Sequence, residues 1–306
     1  MPAMNDTANI VKIAVEMADQ VPQLIGFNQK HSLAAIIQDL CNGWQLAEPE
    51  LYALQFTENN NKNYVTEKNR NEIKNGSILR LTFSPSKTAE DILSKVKSGT
   101  ADEKAQALQK LSLLSTDMTF ALEFINKQGL ALIISMIEEG KCQGATLAFC
   151  LMSFVELMDH GIVSWDILES SFINRVASYV SNQGTNQDSK VVQASLSILE
   201  SIVLNSSAKY AHCLDKEITF PSLVVHLQNA NPVTQQNAIA LINALFLKAD
   251  HTKRKSISAT LNSQKVRNVI LTNIIQAASG QVRSYFNLQA LTVLICIMFL
   301  ILNFSD

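Results

Sequence analysis

Glycine and proline are scarce in this 306-residue chain, which contains ten Gly and six Pro. Their combined share is less than half of the roughly 12% found in average proteins. Because all-β sandwiches and barrels need these residues at their many turns, the scarcity argues against a large all-β fold and favours a mostly helical chain. Charged residues are also scarce, at 17%, whereas apolar residues reach 47%. Disordered chains have the opposite balance, so the composition indicates a folded protein.

The chain also lacks a strong excess of charge, a disulfide pattern and a secretory leader. Its net charge is −2 at pH 7, so the basic excess of nucleic-acid-binding proteins is absent and no nucleic-acid partner is expected. Five scattered cysteines form no C-x-x-C pair, which favours a reducing, cytoplasmic compartment. The residues before Ile10 have neither the basic nor the apolar part of a signal peptide.

The N-terminal quarter of the chain predicts a small mixed domain. Apolar and polar residues alternate in several short runs, as they do in half-buried strands. Ser32 is placed to cap an amphipathic helix, and Gly43 at its end suits a left-handed turn. The order strand, strand, helix, strand, strand predicts an α+β β-grasp (ubiquitin-like) domain over residues 9–85. The predicted strands cover residues 10–16, 23–27, 51–56 and 78–83.

Helical periodicity takes over from Thr88 onward, and it contains a repeat. Three strongly apolar helices, at residues 147–158, 192–204 and 237–247, recur at spacings of 44 and 43 residues. This period is typical of armadillo and HEAT repeats, whose inner helices are apolar nearly all round. Residues 100–290 therefore predict an all-α armadillo/HEAT-like solenoid.

The last segment, residues 291–306, is an atypical apolar tail. Between Ala290 and Leu302 only Thr292 is polar. A helix of that length spans about 20 Å, which is short of the ~30 Å core of a bilayer. Three interpretations fit: a buried final helix, an aberrant or truncated C-terminus, and a tail anchor.

The motifs of common catalytic sites are absent. The sequence contains no phosphate-binding G-x-x-x-x-G-K-[ST], no H-E-x-x-H and no G-x-S-x-G. Asp159, His160 and Ser164 resemble a hydrolytic set, but Gly161 among them indicates the end of a helix. We therefore expect a binding protein, not an enzyme, with no cofactor and no metal site.

Two surfaces are candidates for binding. On the β-grasp domain, Trp44 and Leu46 follow the predicted helix and could anchor a partner, or they could fold back to complete the core. Lys12, Lys30 and Arg80 could meet an acidic partner, or they could be ordinary solvated charges.

The second candidate surface is the concave face of the solenoid. Glu156, Glu200 and Asn243 occupy equivalent positions of the three apolar helices. Stacked repeats would align them into a polar ladder that binds a peptide or a helix. Hydrogen bonding between the repeats themselves is the alternative.

With these segments in view, the chain resembles the ELMO (engulfment and cell motility) family. The resemblance covers roughly residues 9–292. It rests on near-verbatim stretches at residues 66–76 (TEKNRNEIKNG), 155–166 (VELMDHGIVSWD), 198–206 (ILESIVLNS) and 242–249 (INALFLKA).

The resemblance implies an adaptor with a ubiquitin-like GTPase-binding domain and armadillo repeats. Family members bind an active, GTP-loaded Rho-family GTPase of the RhoG kind. They act with DOCK-type exchange factors in Rac activation, actin remodelling, phagocytosis of apoptotic cells and cell motility. The resemblance also implies binding to receptor cytoplasmic tails and recruitment from the cytoplasm to the plasma membrane. The family's ELMO and pleckstrin-homology domains and its Pro-rich tail are missing from this sequence, so a truncated chain that lacks the DOCK-binding region is expected.

Overall fold

The computed structural model describes residues 9–57, 63–181, 188–206 and 218–276. The atypical tail predicted for residues 291–306 lies outside them. The chain divides into two compact units, Met1–Leu132 and Ile133–Asp306. Each unit is therefore described by itself.

A four-stranded mixed sheet opens the first unit. The strands lie in the order β2-β1-β4-β3. The central pair, β1 and β4, is parallel, and the two outer pairings are antiparallel. All four predicted strands are confirmed, with shifts of one residue at two ends. The strands are β1 Ile10–Glu16, β2 Gln23–Asn28, β3 Tyr52–Phe56 and β4 Ile78–Phe83.

Helix α1, Leu33–Gly43, covers one face of this sheet. The predicted cap is confirmed, because the Ser32 hydroxyl oxygen accepts a hydrogen bond from the Ala35 N–H at 3.3 Å. The apolar stripe of the helix and the inward residues of the strands form one core, as the alternating patterns predict. Its buried members are Ile13, Val15, Phe27, Leu33, Ile36, Leu40, Cys41, Leu54, Phe56, Val65, Ile73, Leu79 and Leu81.

Two local expectations in this domain are wrong. Gly43 is the last residue of α1, and the left-handed residue is Gln45, at φ 57°. The glycine serves packing instead, because a Cβ there would come within 2.6 Å of the Gln23 side chain. The alternation of the last strand predicts that Phe83 points inward with Leu79 and Leu81, but Phe83 is not a member of the buried core. It ends β4 with 42% of its surface exposed, and its ring stacks on Tyr52 at 5.4 Å.

Three helices complete the first unit, namely α2 Pro85–Ser98, α3 Ala101–Leu114 and α4 Met118–Asn126. Helix α2 packs against both α3 and α4. It starts earlier than predicted because Ser84 caps it through the Lys87 N–H and Pro85 occupies its first turn. The predicted domain limits are residues 9–85 for the sheet domain and residues 100–290 for the helical domain. These limits stay a prediction.

The regular elements described in the second unit are helices, as the armadillo-like prediction requires. Helices α6 (Gly144–Asp159), α8 (Ser189–Asn205) and α10 (Pro232–Lys248) are the three predicted apolar helices, and α8 packs against the other two. After α5, Gly129–Glu138, within which the division falls, come α6 Gly144–Asp159, α7 Ser170–Ser181, α8 Ser189–Asn205, α9 Phe220–His226, α10 Pro232–Lys248, α11 His251–Asn262, α12 Gln264–Ile270 and a π-helical segment, Leu271–Gln276.

The helix end predicted at Gly161 is confirmed. Gly161 follows α6 with a φ of +68°, so Asp159, His160 and Ser164 lie at and beyond a helix terminus. Among the described residues, no group of three His, Cys, Asp or Glu side chains could hold a metal ion. No single helix in the described ranges is long and apolar enough to cross a membrane, although α4 and α5 together pass that test across a bend.

Candidate partner-binding surfaces

The outer face of the sheet, opposite α1, carries an exposed apolar row. The register aligns Leu24 of β2 with Ala14 of β1, and Ala14 with Ile78 of β4. Leu24 is 86% exposed and Ile78 is 45% exposed. Val21, in the turn before β2, is 82% exposed. Since single exposed apolar residues are common but a contiguous row is not, this face has the character of a contact surface.

Lys12 and Arg80 lie on this same outer face. Lys12 pairs with Gly26 in the register, so its exposed side chain has no bulky neighbour across the strand pair. Arg80 pairs with Glu16 and donates two hydrogen bonds to its carboxylate, at 2.8 and 2.5 Å. The structure therefore places two of the five predicted GTPase-binding residues beside the apolar row.

Strand β2 forms one edge of the sheet. Within the described residues, no strand pairs with its outer side. An open edge presents unpaired backbone N–H and C=O groups, which an incoming strand can bind. The edge and the apolar row adjoin, because Leu24 belongs to both.

The other three predicted residues of this domain lie elsewhere. Trp44 and Leu46 are half-buried and pack against the core between sheet and α1. The Trp44 indole N–H donates to the Val21 carbonyl oxygen at 3.2 Å, which ties the loop after α1 to the turn before β2. Lys30 is exposed just beyond the end of β2.

The segment 66–76, on which the family resemblance partly rests, holds the two strands in place. Arg70 is buried, and its guanidinium contacts the Phe27 ring at 5.3 Å and donates to the Asn28 carbonyl at 3.1 Å. The Glu67 carboxylate accepts a hydrogen bond from the Arg70 guanidinium at 2.5 Å and another from the Leu33 N–H at the start of α1. Both hydrogen bonds, the one from Arg70 most strongly, lower the pKa of the Glu67 carboxyl. Asn75 accepts the Lys12 N–H at 2.8 Å. Segment 66–76 thus makes contacts that hold β1, β2 and the start of α1 in position.

The sequence-based prediction missed the apolar row itself. Its signal was present in the alternation of β1 and β2. Since Val15 and Phe27 point inward, residues of opposite parity point outward, and a leucine at position 24 then stands out.

The second candidate surface is the face of α6, α8 and α10 that carries Glu156, Glu200 and Asn243. Both glutamates are half-buried, whereas Asn243 is 6% exposed and lies within the helix layer. Burial, followed by repulsion from Asp159, raises the pKa of both glutamate carboxyls, and His160 partly offsets the shift at Glu156. In the part of the chain that is described, neither glutamate takes part in a salt bridge.

Exposed apolar side chains accompany these positions. Met152, Leu204 and Leu247 each lie four residues from Glu156, Glu200 and Asn243 respectively, and therefore on the same helix face. An acidic and apolar face of this kind complements a basic, amphipathic segment. We call Met152, Glu156, Glu200, Leu204 and Leu247 the acidic helix face.

Taken together, the sheet, its covering helix and the stacked helices define a protein built from a ubiquitin-like domain followed by armadillo-like repeats. Two family models agree with that class. Residues 9–84 match the ELMO protein N-terminal Ras-binding domain, and residues 119–275 match the armadillo-like helical domain of ELMO. The chain therefore belongs to the ELMO family.

Curated relatives give the same result. Human engulfment and cell motility protein 1 is 45% identical over 90% of this chain and 39% of its own length. Bovine engulfment and cell motility protein 2 is 42% identical over 89% of the chain and 38% of its own length. Mouse engulfment and cell motility protein 3 is 40% identical over 93% and 40%. The chain thus spans about two fifths of the relatives it matches.

Proposed function

We propose that this chain is an ELMO-type adaptor whose sheet domain binds an active Rho-family GTPase of the RhoG kind. The observation that supports the proposal is the exposed apolar row beside the open edge of β2, in a domain that matches a Ras-binding family model. Backbone hydrogen bonds along an open edge provide affinity, and the side chains beside it provide selectivity.

Charge supports the same surface. Lys12 is exposed beside the apolar row and can approach an acidic patch of a GTPase directly. Arg80 forms an ion pair with Glu16, so it can bind an acidic partner only if a carboxylate of the partner replaces that of Glu16. We therefore rank Lys12 above Arg80 as a binding residue. Trp44, Leu46 and Lys30 remain candidates, with Trp44 and Leu46 in a supporting position behind the surface.

The wider role follows the family. We propose that GTPase binding brings the adaptor from the cytoplasm to the plasma membrane, where it takes part in Rac activation and actin remodelling during phagocytosis and cell motility. The resemblance assigns contact with DOCK-type exchange factors to family parts outside the matched residues. We therefore propose that contact for the longer relatives and not for residues 9–276 of this chain.

A pull-down with nucleotide-loaded RhoG tests the GTPase proposal. We expect the chain to retain RhoG loaded with a non-hydrolysable GTP analogue and to retain the GDP form much less. Leu24→Asp should abolish binding, because it places a charge in the apolar row. Leu113→Asp is the matched control, since Leu113 is 55% exposed on α3 of the same unit. Equal capture of both nucleotide forms, or equal losses in the two variants, would refute the proposal.

The acidic helix face supports a second candidate function, the binding of a receptor-tail segment with no GTPase role. Two half-buried carboxylates without a salt bridge in the described residues, bordered by exposed apolar side chains, favour a basic helical peptide. Glu156→Lys together with Glu200→Lys should abolish the binding of such a peptide and leave RhoG capture unchanged. Unchanged peptide affinity in that double variant would rule out this face.

A further inference from the structure

Two buried thiols of the second unit lie in contact. Cys142 precedes α6 and Cys150 lies on it, and their sulfur atoms are 3.6 Å apart. Cys142 is 7% exposed and Cys150 is fully buried. A disulfide requires about 2.05 Å, so the sulfur atoms need to approach by only ~1.5 Å.

The segment around Cys142 has the backbone freedom for that approach. It is flanked by Gly140 and Gly144, at φ +64° and +54°. Glycine adopts this left-handed region without strain and is less restricted in φ and ψ than other residues, so the backbone can adjust at both ends of the segment. Cys150 belongs to a packed helix and stays fixed. Closing the pair therefore needs movement of the short loop alone.

Only one of the two thiols is reachable from solvent. A cavity of about 350 Å³ opens beside the loop, and Cys142 is part of its wall whereas Cys150 is not. Arg175 and Tyr179 of α7 line the same cavity. A small solute that enters it meets Cys142 first.

We propose that Cys142 and Cys150 form a redox-responsive thiol pair that a hydroperoxide oxidises to a disulfide. In the first step the Cys142 sulfur attacks the peroxide, so that an S–O bond forms and the O–O bond breaks, and the departing oxygen takes up the Cys142 proton and leaves as an alcohol or water. In the second step the Cys150 sulfur attacks Cys142, so that an S–S bond forms and the S–O bond breaks. Water leaves with the proton of Cys150. Two molecules of a small thiol return the pair to its reduced state by thiol–disulfide exchange and leave as their own disulfide.

The order of the two steps follows from the environment of Cys150. Its hydrogen bond with Cys142, together with burial, raises the pKa of the Cys150 thiol far above its ordinary value. Cys150 is also absent from the cavity wall, so the peroxide reaches Cys142 first, and Cys150 attacks only as its proton passes to the departing hydroxyl of the sulfenic acid. Its place inside the helix layer suits it to the second, resolving step.

Cys41 provides a comparison within the same chain. It is also fully buried, and burial raises its pKa, but it lies in the core of the other unit and makes no sulfur–sulfur contact among the described residues. Contact with a second sulfur and the adjoining cavity distinguish the pair from a merely buried thiol.

Peptide mass spectrometry of the peroxide-treated 306-residue chain tests the proposal. Cys213→Ser and Cys296→Ser, both outside the described residues, remove other disulfide partners. We expect a cross-link between the Cys142 and Cys150 peptides, with the loss of two hydrogens, and its reversal by dithiothreitol. Cys150→Ser should trap a sulfenic acid at Cys142, which dimedone labels. Circular dichroism confirms that each variant is folded.

Four outcomes would overturn the proposal. The first is the absence of the cross-link at peroxide doses that oxidise exposed methionines. The second is a cross-link that forms only after unfolding in urea. The third is dimedone labelling of Cys150 in a Cys142→Ser variant without labelling of Cys142 in the Cys150→Ser variant. Labelling of Cys41 to the same extent as Cys142 would also contradict it, because burial alone would then govern reactivity.

Discussion

The sheet unit and the helical unit are held together by different kinds of contact. In the sheet unit, polar side chains join segments that are far apart in sequence, as Asn75 does with Lys12 and Arg70 with Asn28. In the helical unit, apolar layers carry most of the packing, and among the described residues the polar ties join adjacent helices or neighbouring repeats, as from Asn237 to the Gln193 carbonyl. Specific polar substitutions should therefore damage the first unit, and loss of volume should damage the second.

The two tryptophans allow each unit to be followed separately. Trp44 lies in the first unit and Trp165 in the second, and the chain contains no other tryptophan. A Trp44→Phe background therefore reports unfolding of the helical unit, and a Trp165→Phe background reports unfolding of the sheet unit.

The largest effect is expected for Phe154→Ala in the helical unit. Phe154 is fully buried, with its ring centroid 4.8 Å from that of Phe172 and 5.8 Å from that of Trp165. Removing the ring should lower the free energy of unfolding by about 3–5 kcal/mol, because a large cavity remains. Urea unfolding in the Trp44→Phe background measures it. Met152→Ala, on the exposed side of the same helix, should lose less than about 1 kcal/mol. Similar losses in the two variants would contradict a packing-dominated unit.

A slightly smaller loss is expected for Asp117→Ala in the sheet unit. The buried Asp117 carboxylate accepts the Tyr64 N–H and the Phe120 N–H, both at 2.8 Å, and so joins the segment after β3 to α4. Two buried donors would be left without a partner, at about 2–4 kcal/mol. Urea unfolding in the Trp165→Phe background measures the loss.

The control for Asp117 is an exposed cap in the same unit. Thr100 caps α3 in a capping box with Glu103. Because water replaces the lost bonds there, Thr100→Ala should cost about 1 kcal/mol. If Asp117→Ala lowers the free energy of unfolding by no more than Thr100→Ala does, the hydrogen bond from Tyr64 to Asp117 adds no stability beyond that of an ordinary helix cap.

The same contrast explains which features were predictable from sequence. Alternation and helical periodicity fixed the strands, α1 and the three repeat helices, since both patterns report the burial of a face. The contacts of Arg70 and Asp117 were not predictable, because each joins segments distant in sequence. The apolar row on the outer sheet face was missed for a related reason. Leu24 stands out only once the inward parity of Phe27 is known.

A third, smaller effect is expected for Arg70→Lys. Lysine keeps the charge but loses the planar fork that contacts Phe27, Glu67 and the Asn28 carbonyl together. The sheet unit should lose about 1–2 kcal/mol in urea unfolding. RhoG capture should fall as well if the end of β2 needs this support. Arg80→Lys, at an exposed ion pair, should change stability by less than about 0.5 kcal/mol. Equal losses of stability in Arg70→Lys and Arg80→Lys would show that the buried contacts of the Arg70 guanidinium add no stability.

The smallest effects concern pH and have opposite signs at two carboxyls. At Glu103 of the sheet unit, hydrogen bonds from Thr100 lower the pKa, so the ionised form stabilises the fold. That stability is present above the ordinary value of 4.5 and is lost as the pH falls through the folded pKa. At Glu200 of the helical unit, burial and repulsion from Asp159 raise the pKa, so the ionised form destabilises the fold. That penalty is present above the folded pKa and is relieved as the pH falls through it toward 4.5.

Replacement by glutamine separates the two cases. Glu200→Gln should stabilise the helical unit at pH 7, by no more than about 0.5 kcal/mol because water screens the half-buried carboxylate. The gain should disappear below pH 4.5, where Glu200 is protonated in both the folded and the unfolded chain. Glu103→Gln should instead destabilise the sheet unit at pH 7, and its loss should shrink only at lower pH, since its folded pKa lies below 4.5. Urea midpoints at both pH values measure the pair. If Glu200→Gln destabilises the unit at pH 7, the Glu200 carboxylate is already stabilised by a contact within the fold. The main argument that the acidic helix face binds a basic partner would then fail.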